Sequence, residues 1–127
     1  MLYVLPAATA MHAVMVDTIN NFSSFEAFWP YYLSQHSKRV TRLVHVTGTL
    51  LALFALVKTV LAPSLGTFLA VPVFGYGFAW VAHFFVQENR PATFRYPLWS
   101  LQGDFYMLWL WLSGRLETEL VRHKIIT

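Results

Sequence analysis

Two long apolar runs dominate the chain. Residues 43–61, LVHVTGTLLALFALVKTVL, are interrupted only by His45, Thr47, Thr49, Lys58 and Thr59 among polar residues. Residues 67–86, TFLAVPVFGYGFAWVAHFFV, make the second run. A helix needs about 20 mostly apolar residues to cross a bilayer, and each run supplies them. The stretch between them, APSLG, carries no charge and is short enough to be a turn. The pattern predicts an antiparallel transmembrane hairpin. Gly75 and Gly77 are the expected points of close helix approach.

Shorter amphipathic segments flank the hairpin. In NNFSSFEAFWPYYLSQH, Ser23 or Ser24 can cap a helix and Glu26 falls in its first turn. Phe25, Phe28, Trp29 and Tyr32 recur at helical spacing and form one aromatic face. Pro30 sits early, where a helix tolerates it. This helix is expected to run to about His36. Its aromatic face suits the membrane surface or the protein's own core equally well. After the hairpin a third apolar helix is expected over residues 97–113, short for a span and carrying Asp104. It either crosses at a tilt or re-enters part way. The tail RLETELVRHKIIT reads as a charged surface helix.

The expected fold is therefore all-α: a small integral membrane helical bundle. It has a transmembrane hairpin, a third short membrane helix and flanking amphipathic helices. Residues 22–127 form one membrane-embedded domain. Residues 1–21 are read as a loosely ordered N-terminal extension. Their apolar part, MLYVLPAATAMHAVMV, is short for a span, and no Lys or Arg precedes it as a secretory signal would require.

Composition supports lipid as the solvent. The chain is 57% hydrophobic and 12% charged, against about a quarter charged for a soluble domain. Cysteine is absent, which excludes disulfides and thiolate metal sites. Any metal must be held by His, Asp, Glu or backbone oxygens. The net charge of +3 is small. No basic stripe with interleaved aromatics and no Gly-rich phosphate loop is present, so a nucleic-acid partner is not expected. Lys38, Arg39, Arg42, Arg90 and Arg95 lie at one end of the hairpin, and the turn at the other end carries no basic residue. The positive-inside rule then turns the basic end to the cytoplasm. The membrane would be the inner membrane of a bacterium or the endoplasmic reticulum of a eukaryote. Arg115, Arg122 and Lys124 oppose that orientation if the third helix crosses, and agree if it re-enters.

The histidines carry the candidate chemistry. His45 lies near the start of the first run and His83 near the end of the second. From His45 to the turn is about 17 residues, roughly 26 Å at 1.5 Å per residue, and the return to His83 is similar. An antiparallel hairpin therefore brings both imidazoles to one depth. His36 approaches the same end from the aromatic helix, and Glu88, Asn89, Arg90 and Asp104 start from it. Ionisable groups at such depth are expensive and tend to be functional. Neutral imidazoles suit zinc, copper, iron or nickel, and three of them leave positions open for a substrate. A lipid-level site favours a lipid substrate. His12 and His123 lie outside this convergence.

The segments YYLSQH, TRLVHVTGT and GYGFAWVAHFFVQENRPATFRYPLWSLQGD together resemble the membrane-bound 2-hydroxy fatty acid dioxygenase family. The resemblance runs from about Phe22 to Gly114. It implies an Fe(2+) enzyme that shortens a 2-hydroxy fatty acid by one carbon with O2. It also implies His36, His45 and His83 as the iron ligands. Arg90 is then the expected partner of the substrate carboxylate, and Asp104 the expected orienter of a ligand histidine. Asn89 and Pro91 are expected to shape the turn, and Tyr32 to line the site or pack. Relatives often carry Glu four residues after the last histidine. This chain has Gln87 there and the acid at Glu88, which makes Glu88 a third candidate catalytic residue. Relatives often follow the first histidine with Asn-Pro, where this chain has SKRV. Competing readings are a b-type haem protein ligated by His45 and His83, a zinc-dependent lipid hydrolase, and a non-catalytic membrane scaffold. The expected partners are the 2-hydroxy fatty acid, O2 and the bilayer, with a homo-oligomer left open.

Overall fold

The computed structural model describes residues 22–127. The expectations for residues 1–21 fall outside the described residues. Five α-helices follow in order: α1 (Phe25–Ser34), α2 (Arg39–Leu61), α3 (Leu65–Val81), α4 (Pro97–Leu112) and α5 (Leu116–Arg122). No strand occurs among the described residues. Two short pieces lie between α3 and α4: a π-helical turn, Ala82–Gln87, and a 3-10 turn, Ala92–Phe94. The fold is all-α, as the apolar pattern predicts.

Helices α2 and α3 form the hairpin. Ser64 starts α3 by accepting a hydrogen bond from the Thr67 amide at 3.1 Å, the usual role of a serine N-cap. Both limbs are long and apolar enough to cross a membrane, α3 being counted together with its π-helical continuation to Gln87. Only 28% and 11% of their apolar windows are buried within the protein. A core helix of a soluble protein would be mostly covered, so the uncovered apolar surface is matched to lipid rather than to water. The two helices approach most closely at Gly48. A Cβ there would collide with Phe78 Cβ and stand 2.9 Å from the Phe74 carbonyl oxygen. Gly75 makes an ordinary contact with Ala52, and a Cβ at Gly77 would meet nothing within 4 Å. The close approach thus lies on the opposite limb from the glycines that the sequence singled out.

The aromatic face of α1 turns to the protein's own core. Ser24 caps the helix through the Ala27 amide, 3.1 Å away, and the helix stops at Ser34, leaving His36 in the turn that follows. Phe28, Trp29, Tyr32 and Leu33 are buried against Met107, Leu108 and Leu110 of α4 and Leu116 and Leu120 of α5. Trp29 lies 4.6 Å from Tyr106, ring centroid to ring centroid. Gly103 lets Tyr32 lie flat on α4, since a Cβ there would stand 2.9 Å from the Tyr32 ring.

The tail is docked as well as charged. Trp29 Nε1 donates to Glu119 Oε1 at 2.9 Å, which seats α5 on α1. Trp29 is seven residues before His36, roughly 10 Å along a helix axis. Glu119 therefore lies at the histidine end of the molecule, much nearer than the other face of a hydrocarbon layer about 30 Å thick.

Candidate metal centre

Each of the three histidines is presented by a different backbone device. His36 sits on the α1–α2 turn. Arg42, buried one turn into α2, donates to the His36 carbonyl at 2.9 Å and to the Ser37 carbonyl at 2.7 Å. These bonds fix the turn, so Arg42 works inside the protein rather than as a surface anchor. His45 follows one turn later on α2. His83 lies in the π-helical turn Ala82–Gln87. Such turns insert an extra residue into a helix and recur at functional sites. Glu88 closes this one in the left-handed conformation, φ 59°.

The rings meet. Their centroids are 4.9 Å apart for His36 and His45, 4.5 Å for His36 and His83, and 5.6 Å for His45 and His83. One ring nitrogen from each lies within 4.8 Å of the other two, and all three side chains are buried. Three histidines so placed could hold a metal ion.

Hydrogen bonds orient two of the rings. His36 Nδ1 donates to the Tyr32 carbonyl at 2.7 Å. A carbonyl only accepts, so the lone pair is left on Nε2. His83 Nδ1 donates to Asn89 Oδ1 at 2.7 Å. Asn89 is itself held by donating Nδ2 to the carbonyl and to the side-chain oxygen of Gln35, each at 3.0 Å. This outer partner fixes a ligand's tautomer and direction, as metal-binding histidines commonly require. His36 Nε2 and His45 Nδ1 are buried with no hydrogen-bond partner among the described residues. Buried nitrogens are rarely left so, and the lone pair of a neutral imidazole is the kind of donor that a metal ion takes.

Asp104 reaches the cluster from α4. Its Oδ1 lies 3.4 Å from His45 Nε2 and accepts a hydrogen bond from the Tyr32 hydroxyl at 2.6 Å. Tyr32 in turn stacks on His36 at 4.3 Å. Burial raises the Tyr32 pKa well above its ordinary value, and the Asp104 charge raises it further. It stays a donor. Burial lowers the His36 pKa well below the usual histidine range, and its two histidine neighbours lower it further. His36 is therefore neutral at pH 7, the form that binds a metal.

A cavity of about 250 Å³ opens from this cluster. Its polar end holds Tyr32, the three histidines, Ser100 and Asp104. It then runs between α2, α3 and α4 past Ala52, Leu53, Gly75 and Tyr76 to Leu56, Val71 and Pro72. Leu56 is eleven residues beyond His45, roughly 16 Å along α2. Leu56, Pro72, Tyr76, Leu101 and Phe105 are also exposed on the outer surface, so the apolar end is open sideways.

Three buried histidines thus stand at the polar head of an apolar, laterally open cavity. Residues 22–116 match the family described as 2-hydroxy-palmitic acid dioxygenase Mpo1-like. This chain belongs to the Mpo1-like family. The family's name denotes a dioxygenase of 2-hydroxy fatty acids. Among curated proteins and solved structures, nothing matches the chain.

Other candidate residues of this Mpo1-like chain stand elsewhere. Glu88 is exposed and is not part of the cavity wall. Its left-handed backbone ends the π-helical turn and carries the side chain away from the histidines. Arg90 is exposed too and is not part of the cavity wall, its guanidinium lying 5.0 Å over the Phe94 ring. Gln87 faces the α1–α2 turn. Its Oε1 accepts from the Lys38 amide at 3.1 Å and from Thr41 Oγ1 at 2.7 Å, while its Nε2 donates to Ser37 Oγ at 2.6 Å. The two departures from the family pattern, Gln87 and the SKRV turn, are thus bonded to each other. Sequence reasoning missed this latch. It also assigned Asn89 to turn-shaping alone, although an amide six residues after His83, just past the helix end, was within reach of it. Ser100 gave no signal.

Proposed function

We propose that this chain is an Fe(II)-dependent dioxygenase that shortens 2-hydroxy fatty acids by one carbon. One observation carries the reading: three buried histidines bring a ring nitrogen each within 4.8 Å of the others at the head of an apolar cavity, and His36 Nε2 and His45 Nδ1 have no hydrogen-bond partner among the described residues. The donor set fits iron. It offers neutral imidazoles and a nearby carboxylate, with no thiolate. Bound by His36, His45 and His83, Fe(II) would supply open coordination positions and the redox capacity to use O2.

The chain's own residues do the rest. Asn89 and the Tyr32 carbonyl hold His83 and His36 in their ligating tautomers. Asp104 steadies His45, and Tyr32 steadies Asp104. The apolar walls take the alkyl chain and keep water from the polar head. The open side admits an amphiphile from the bilayer. Arg90, next in sequence to the wall residues Pro91, Ala92 and Thr93, would attract the substrate carboxylate as it arrives. We assign Glu88 no part in the reaction. The balance is a 2-hydroxy acid plus O2 giving the acid one carbon shorter, CO2 and water. Four electrons leave the substrate's first two carbons and reduce O2.

The same reading places the histidine end in the cytoplasm. Because α5 returns to that end, α4 re-enters rather than crosses. Lys38, Arg39, Arg90, Arg95, Arg115, Arg122 and Lys124 then lie on one side, as the positive-inside rule asks. The b-type haem alternative is disfavoured, because His36 stands 4.5 and 4.9 Å from the other two rings, where a macrocycle between His45 and His83 would have to pass.

The test is oxygen uptake by purified protein in detergent with Fe(II) and 2-hydroxypalmitate, with the fatty acid product identified by mass. Uptake with release of pentadecanoic acid is expected. Zinc retention with lipid hydrolysis, or a Soret band, would replace the proposal with one of its rivals.

A further inference from the structure

One fully buried hydroxyl on the cavity wall has no partner. Ser100 is 3% exposed and lines the cavity, and its hydroxyl has no hydrogen-bond partner among the described residues. Four buried side-chain atoms share that condition. Two are ring nitrogens of the histidine cluster, His36 Nε2 and His45 Nδ1. A third, the Tyr96 hydroxyl, belongs to the aromatic cluster and not to the cavity wall. Only Ser100 remains.

A serine inside a helix usually bonds back to the carbonyl four residues earlier. The Tyr96 carbonyl takes the Ser100 amide at 2.8 Å, but no bond from the hydroxyl forms. Buried hydroxyls are seldom left in this state. Ser100 precedes Asp104 by four residues and so shares its face of α4. Asp104 lies 3.4 Å from His45. The free hydroxyl is therefore about one helical turn, roughly 6 Å of rise, from the carboxylate beside the histidines. Ala92, Leu101 and Phe105 line the same cavity and are apolar. Other hydroxyls line the cavity, among them those of Thr49 and Thr93, but Thr49 bonds back to the His45 carbonyl at 3.1 Å, and only the Ser100 hydroxyl is fully buried and without a partner among the described residues. A buried free hydroxyl set one turn from a metal site suits a ligand with two polar groups on adjacent carbons and a hydrocarbon tail. A hydroxyl donates one hydrogen bond and carries no charge, so it can serve a carboxylate oxygen that the metal does not take.

We propose that Ser100 is a substrate-recognition residue whose hydroxyl donates a hydrogen bond to the carboxylate of the 2-hydroxy acid. The assignment rests on the reading of the cavity as a 2-hydroxy fatty acid site. It makes Ser100 responsible for preferring an acid over an alcohol of the same length.

The test compares radiolabelled 2-hydroxypalmitate with hexadecane-1,2-diol, which keeps the tail and the hydroxyl but lacks the carboxylate. Equilibrium binding to Fe(II)-loaded protein in nanodiscs is measured for the parent, Ser100→Ala and Ser100→Cys. Bonds to charged groups are among the stronger ones, so both variants should lose about tenfold in affinity for the acid. Affinity for the diol should change by less than about twofold, and bound iron should stay at the parental level. Where the acid is turned over, KM should rise by a similar factor with kcat nearly unchanged. Equal loss for acid and diol would make Ser100 a packing residue and overturn the proposal, as would no loss for either. If the parent binds the acid without turning it over, the dioxygenase reading fails while the binding comparison still decides the role of Ser100. If the parent binds neither compound, both fall.

Discussion

At the turn end of the hairpin, Val60, Leu61, Leu65 and Phe68 all stand exposed. At the other end, His36, His45 and His83 are each no more than 5% exposed. One pair of helices supplies both ends. Near the turn, apart from Lys58, the Ser64 cap and Thr59 and Thr67, the side chains are apolar and ask only for lipid. Near the histidines named partners fix the side chains that carry and orient the rings, while His36 Nε2, His45 Nδ1 and the Ser100 hydroxyl are left free for a guest. Arg42 fixes the His36 turn, Gln87 latches the same turn to the π-helical segment, and Asn89 directs His83. The contrast teaches where precision is located. Lipid tolerates any apolar side chain of suitable length, whereas a ligand cluster tolerates little displacement.

Substitutions should respect this contrast, and the most severe lies at the cluster. His83→Ala should lose bound metal altogether and reduce turnover to background, as measured by metal content and oxygen uptake. Next is Gly48→Ala, which forces α2 off α3 at Phe78 and Phe74. Overpacking of this kind costs ~1–3 kcal/mol, and the loss should appear as a lower melting temperature in detergent. Asn89→Ala leaves the fold intact but frees the His83 ring. Loss of such an outer partner weakens metal affinity by about 10–100-fold, which a competition titration with a chelator would detect. The mildest change is Phe68→Leu at the turn end. Stability should shift by less than about 0.5 kcal/mol, with metal content unaltered. If Phe68→Leu abolished metal binding, or Asn89→Ala left it untouched, the division between the two ends would not hold.

Much of this arrangement was legible in the sequence, for a geometric reason. The two apolar runs are of nearly equal length and joined by a short turn, so His45 and His83 had to come to nearly one level. Placing His36 needed only its distance from His45. What stayed hidden depends on local detail that periodicity does not encode. An aromatic face reads the same whether lipid or protein covers it, so the burial of α1 on α4 could not be told beforehand. The close approach at Gly48 depends on the rotation of α2 about its axis, and that rotation is set by packing against Phe74 and Phe78. The π-helical turn adds a residue without any marker in its composition, and it alters which side chains share a face after His83. Gln87 therefore points to Ser37 and Thr41, and Glu88 points outward. Asp104 was reachable from sequence because a carboxylate in an apolar helix is conspicuous. A serine in the same helix is not, and Ser100 passed unnoticed.

Metal analysis of the purified protein, comparing the parent with His36→Ala, His45→Ala and His83→Ala after anaerobic Fe(II) loading and desalting, bears most directly on the three-histidine centre. About one iron per chain in the parent and none in each variant is the predicted result, in keeping with a mononuclear site of three imidazoles. Iron retained in all three variants, or absent from a folded parent, would contradict it.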